Sequence, residues 1–173
     1  MPERVSDIGE FGLIRRINDL LKKDGVGSER VTIGIGDDTA SFLPRPGYEL
    51  LVTCDCMVEG RHYLPKYIQP QDLGRRAMAL NISDIGAMGG RPLYALISLG
   101  LKGETLVQEI EEIYRGFLAE LNPFGASIIG GNLTKSGNIL HVYYVQPAGI
   151  FFKRIFQLPE VIFRRIQVMV YFA

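Results

Sequence analysis

The stretch "PQDLGRRAMALNISDIGAMGGRPLYALISLGL", residues 70–101, carries two periodicities back to back. Leu73, Ala77, Leu80, Ile85 and Met88 recur at helical intervals, and Gly89-Gly90 with Pro92 beyond them ends the run, which predicts one long helix. Residues 93–101 then read as a strand. Asp84 is the informative position, because the stretch from Ala77 to Gly90 holds no other charge. A carboxylate in such surroundings is expected to be buried and to need a partner. Asn81, one helical turn earlier, faces the same side.

Working outward, Asp7 with Glu10 three residues later has the spacing of a helix cap, and Ile8, Phe11, Ile14, Ile17, Leu20 and Leu21 follow at helical intervals until Gly25. Strands are expected at 31–35, 39–43 and 50–54, the last entered through the turn "PRPGYE". On the other side, 104–120 begins acidic and carries Leu106, Ile110, Ile113, Phe117 and Leu121, a helix pattern, with strands at 126–129 and near 139–145. The order is not a regular βαβ alternation, which makes the fold class α+β. There is no internal repeat.

The 173 residues suffice for one domain with a sizeable core, and 47% hydrophobic with 22% charged residues excludes disorder. A formal charge of zero removes the basic excess that a nucleic-acid binder shows. No run approaches the ~18 apolar residues that a membrane-spanning helix needs, and Met1-Pro2-Glu3 opens no signal region. The expected location is the cytoplasm, without nucleic acid or membrane as partner. Cys54 and Cys56 lie two apart, on one face of a strand and badly placed to bridge each other, so free thiols are expected.

Four places set acids or amides among small residues at element ends: "GIGDD" (Asp37, Asp38), "TCDCMVEGRH" (Asp55, Glu59, His62), "ALNISDIGAMGG" (Asn81, Asp84) and "IIGGNLTKS" (Gly130, Gly131, Asn132). Hard oxygen donors of this kind suit Mg²⁺ shared with phosphate oxygens. Each site taken alone has a plainer reading. Asp37 and Asp38 also suit a solvated turn, Asp55 a strand end, His62 packing or surface, and "GGN" a turn. Cys54 and Cys56 read as small strand residues, and Tyr114 as a core-edge residue of an amphipathic helix. No P-loop, protein-kinase set or G-x-G-x-x-G occurs in the sequence.

Taken in order, "GEFGLI", "GIGDDTA", "CDCMVEGRHY", "DLGRRAMALNISDIGAMGGRPLYALISLGL" and "IIGGNLTKS" resemble the amino-terminal domain of the thiamine-monophosphate kinases, within the aminoimidazole-ribonucleotide-synthetase-like ATP-binding superfamily. The resemblance runs over roughly residues 7–149. It implies a mixed, mainly antiparallel sheet packed with helices, and transfer of the ATP γ-phosphoryl group, with Mg²⁺, onto thiamine monophosphate to give thiamine diphosphate. It further implies a homodimer. Carried over by position, Asp38, Asp55 and Asp84 match magnesium ligands, with Thr53 and Cys54 assisting through backbone or side chain. Cys54 stands where Ser or Thr is usual. Gly131 and Asn132 match the segment that contacts ATP and metal, and Asn132 replaces a frequent Asp. His62 matches a substrate contact and Tyr114 an ATP contact. No catalytic nucleophile is implied, because positioning and metal electrostatics carry phosphoryl transfer.

Two alternatives stand beside this reading. One is a non-catalytic ATP- and Mg²⁺-binding or dimerisation module. The other is a further superfamily member, of selenophosphate-synthetase-like or hydrogenase-maturation-like type; the first of these would show a reactive Cys near the amino terminus, and "MVEGRHY" favours the thiamine enzyme. The domain assignment is 1–149 for the ATP- and Mg²⁺-binding domain and 150–173 for an atypical tail, with the family's carboxy-terminal domain missing. That tail, "IFFKRIFQLPEVIFRRIQVMVYFA", does not resemble the glycine-rich continuation of the family, and a shifted reading frame or an equivalent truncation is the expected origin.

Overall fold

The structure is a computed structural model that describes residues 2–27 and 29–135, and the backbone of 139–148. The expectation for the 150–173 tail lies outside the described residues. The chain begins with α1 (Val5–Asp24), then β1 (Val31–Ile33), β2 (Ser41–Phe42), β3 (Glu49–Val58) and α2 (Pro70–Ala87). It continues with β4 (Tyr94–Leu101), α3 (Val107–Leu121), β5 (Ser127–Lys135) and β6 (Ile139–Ala148). β1 and β2 form a small antiparallel pair, and the main sheet has the order β3-β6-β4-β5. β6 runs antiparallel to both β3 and β4, while β4 and β5 are parallel. The sheet is therefore mixed and mainly antiparallel, with helices packed on it.

Local chemistry explains most boundaries. Pro70 opens α2 at the position where a missing N–H costs nothing, and Gly89, with φ 70°, turns the chain out of it. Asp7 is not the cap of α1: it lies one turn inside, where its Oδ2 accepts the Arg4 backbone N–H at 2.8 Å. α1 is kinked at Gly9, whose φ of 65° no side-chain-bearing residue adopts cheaply. Beyond the kink the buried stripe is Leu13, Ile17 and Leu20, and Phe11 is left 75% exposed. α3 starts at Val107 rather than 104, with the Glu109 carboxylate accepting the Leu106 N–H at 3.1 Å.

The strands depart from expectation in length. The strand expected at 39–43 shrinks to two residues, whereas β3, β5 and β6 run well past their expected ends. "GGN" lies inside β5 rather than at a turn. Gly131 is there because a Cβ would come 1.9 Å from the Ile97 carbonyl oxygen, so only glycine lets β5 approach β4 next to the register shift between Ala95 and Leu96.

The core lies between the helices and one face of the sheet. Ala95, Ile97 and Leu99 of β4 meet Met57 of β3, Ala77 and Met78 of α2, and Ile110, Phe117 and Leu121 of α3. α2 and α3 cross with their backbones almost touching: a Cβ on Gly74 would come 2.1 Å from the Ile113 carbonyl oxygen, and one on Gly116 equally close to that of Gln71. Backbone on both sides cannot yield as a flexible side chain can. Gly74→Ala is expected to cost ~3 kcal/mol, the upper end for overpacking, and to lower the melting temperature by about 6–12 °C in thermal denaturation.

Candidate functional site

β3 alternates between two environments. Thr53, Asp55 and Met57 face the helices, with Met57 sealed at 2% exposure, while Leu50, Val52 and Cys54 face away and are exposed. Strand pleat alone dictates this division. The register carries it across the sheet: Thr53 lies opposite Tyr144, which lies opposite Ala95, and Asp55 opposite Val142, which lies opposite Ile97. The Cys54 side chain therefore points away from the face that carries Thr53 and Asp55, and only its backbone can serve a ligand on that face.

α2 meets β3 through two polar contacts. Asn81 is fully buried; its Oδ1 accepts the Asp55 backbone N–H at 3.1 Å and its Nδ2 donates to the Ala77 carbonyl at 3.0 Å. A side-chain amide thus takes the ladder partner's place at an edge strand. One turn on, Asp84 Oδ2 accepts a hydrogen bond from Thr53 Oγ1 at 3.1 Å. Asp84 is exposed, which corrects the expectation of a buried carboxylate: the uncharged stretch around it is apolar on the core side, and Asp84 sits at the rim where α2 leaves the sheet.

The outcome is a pair of carboxylates, Asp55 and Asp84, held side by side. The Asp55 carboxyl is raised above its ordinary range, first by partial burial, then by the Asp84 charge, with His62 acting in the opposite sense. His62 stands near through a local turn: its Nδ1 accepts the Val58 N–H at 2.9 Å, and Gly60, with φ 81°, permits the reversal. That bond puts the proton of the neutral ring on Nε2. Two acids, a hydroxyl and no soft ligand on one face make a donor set that fits Mg²⁺.

The other expected residues lie apart from this pair. Among the described residues no three His, Cys, Asp or Glu side chains gather closely enough to hold one ion. Asp37 and Asp38 are exposed in the turn that begins at Gly36. Gly131 and Asn132 are on β5, at the opposite edge of the sheet from β3. Tyr114 is 4% exposed and its ring meets Phe117 edge-on at 5.3 Å. The phenol belongs to the α2–α3 core, where burial raises its pKa. Asn81 is the positioning residue that the spacing hinted at without revealing its bond to the backbone of β3. Asn81→Ala leaves the Asp55 N–H without its acceptor, and a loss of ~2 kcal/mol is expected in urea denaturation, with Asn81→Asp no milder, because it sets a buried carboxylate oxygen against the Ala77 carbonyl.

Residues 36–150 match the family described as AIR synthase related protein, N-terminal domain. The thiamine-monophosphate kinase of Aquifex aeolicus is 40% identical over 136 residues, which are 79% of this chain and 41% of that protein. Among solved structures, the thiamine-monophosphate kinase from Stenotrophomonas maltophilia K279a superposes with a TM-score of 0.67 at 32% identity, covering 82% of this chain and 43% of that one. "AaThiL complexed with AMPPCP and TMP" gives a TM-score of 0.56 at 36% identity, covering 83% and 43%. The chain spans about 40% of the length of the curated relatives it matches. The match over 36–150 and the likeness to these relatives lead to one statement: the chain belongs to the AIR synthase related family, as its N-terminal domain of the kind found in thiamine-monophosphate kinases.

Proposed function

We propose that this chain binds ATP together with Mg²⁺ and serves the transfer of the γ-phosphoryl group to thiamine monophosphate. The observation that carries the reading is the Asp55–Asp84 pair, two like charges fixed by Thr53 and Asn81 at a cost that a divalent cation removes. The names AMPPCP and TMP on a similar structure supply the ligand classes, an ATP analogue and the acceptor. In this reading Asp55, Asp84 and the Thr53 hydroxyl hold Mg²⁺, which when bound neutralises phosphate charge. Asp38, Gly131 and Asn132, set apart from the pair, are read as further contacts to metal and ATP, and His62 offers Nε2–H to the acceptor. The protein's own work is to position two polyanions, with no nucleophile.

A second reading, nucleotide binding without turnover, stands beside this one. Calorimetric titration of ATP with and without Mg²⁺, followed by a thiamine diphosphate assay, separates the two. Magnesium-dependent binding with product formation supports the kinase, binding alone supports the module, and no binding removes both. No helix among the described residues is long and apolar enough to cross a membrane. The cytoplasm, where Cys54 and Cys56 stay reduced, is the location that completes this reading.

Removing the like charge gives a sharper test. Asp84→Asn is expected to raise the melting temperature of the metal-free chain, since Asp55 loses its repulsive neighbour, and to abolish the further rise caused by Mg·ATP. A variant that unfolds, or that keeps the full Mg·ATP increment, contradicts the assigned role.

The proposal extends to a homodimer. Leu50 and Val52 are 44% and 66% exposed on the face of β3 away from the helices, an apolar row suited to a second copy of the same surface. Light scattering at micromolar concentration is expected to give twice the chain mass, and Val52→Lys to give the monomer mass.

A further inference from the structure

β3 carries two thiols on the face turned away from the helices. Cys54 and Cys56 are both free and stand two residues apart, so the strand pleat sets them on one side, Cys54 exposed and Cys56 half-buried. Asp55 between them shares the opposite side with Ile97 of the core. Neither thiol has a hydrogen-bond partner among the described residues. The Cys54 thiol is raised above its ordinary pKa, first by burial, then by Cys56 and by Asp55, so the two sulfurs stand within each other's field.

Their spacing suits an ion better than a bond. Same-face neighbours on an extended strand are ~6.8 Å apart along it, the upper limit of Cα separation for a disulfide. An ion between the sulfurs replaces one bond of ~2 Å by two longer ones and closes the gap without bending the strand. The ladder with β6 runs unbroken from Glu49 to Val58 and keeps β3 extended over both cysteines.

The donor set decides which ion. Thiolates select soft metals, whereas Mg²⁺ prefers the oxygens of Thr53, Asp55 and Asp84 on the other side of the strand. Closed zinc sites take four ligands, and among the described residues no three His, Cys, Asp or Glu side chains gather to hold an ion. Two sulfurs alone match a soft, closed-shell cation that accepts two donors in line.

We propose that Cys54 and Cys56 together bind one Cu(I) ion per chain between their two Sγ atoms. On binding, both S–H groups release their protons and two Cu–S bonds form, with no change in the oxidation state of sulfur or copper. The site uses neither the acid pair nor a nucleotide, so it stands or falls separately from the proposed kinase chemistry.

The test is anaerobic titration of the reduced chain with Cu(I), supplied as its acetonitrile complex, against the chelator bicinchoninate. One Cu(I) per chain is expected to pass from the chelator to the protein, with two sulfur neighbours by X-ray absorption. Cys54→Ser and Cys56→Ser are each expected to weaken retention about tenfold or more, with circular dichroism confirming the fold of each variant. The unaltered chain supplies a second measurement: iodoacetamide followed by mass spectrometry is expected to modify Cys54 in the metal-free protein and to leave both cysteines unmodified in the Cu(I)-loaded one. No transfer from bicinchoninate, half an ion per chain, equal retention in both Ser variants, or alkylation of both thiols in the loaded chain would each overturn the proposal.

Discussion

The fold depends on how closely α2 and α3 approach. At Gly74 and Gly116 the two backbones leave no room for even a methyl group, with prospective Cβ positions 2.1 Å from carbonyl oxygens across the crossing. This contact sets the height of α2 above the sheet, and through it the position of everything α2 presents to β3. Asn81 reaches the Asp55 N–H and Asp84 reaches the Thr53 hydroxyl because the helix lies at that height. A helix displaced by an ångström lengthens bonds of 3.1 Å beyond useful range. The chemistry of the acid pair thus rests on glycines that touch no ligand.

Much of this was legible in residues 70–101. The helix, its end at Gly89-Gly90 and the following strand are local properties, fixed by apolar spacing and by turn residues. What the spacing could not tell is which side of the helix meets which strand. Asp84 illustrates the limit: the absence of neighbouring charge suggested burial, yet the carboxylate stands at the rim, because burial follows from the tertiary position of a helix end. Tyr114 illustrates the converse, where the plain amphipathic reading describes the buried ring.

Strand lengths were the least legible feature. β3 and β5 run on through polar residues such as Thr53, Asp55, Asn132 and Thr134, which local propensity disfavours in part but which a neighbouring strand accommodates once its ladder is formed. Gly131 shows the same dependence. Its place in a strand rather than a turn is decided by the Ile97 carbonyl oxygen that lies where a side chain would stand, a contact made between segments far apart in sequence.

The strand order has a consequence for biogenesis. Among the described residues β3 has only β6 as its ladder neighbour in the main sheet, so Glu49 must wait for Ala148, and β6 then inserts between β3 and β4. During synthesis the helices and the parallel β4–β5 pair emerge while β3 still lacks its hydrogen-bonding mate, with Leu50 and Val52 on its outward face. A nascent chain in that condition is a substrate for chaperones that shield unpaired strands, and the closing step is the late threading of the central strand.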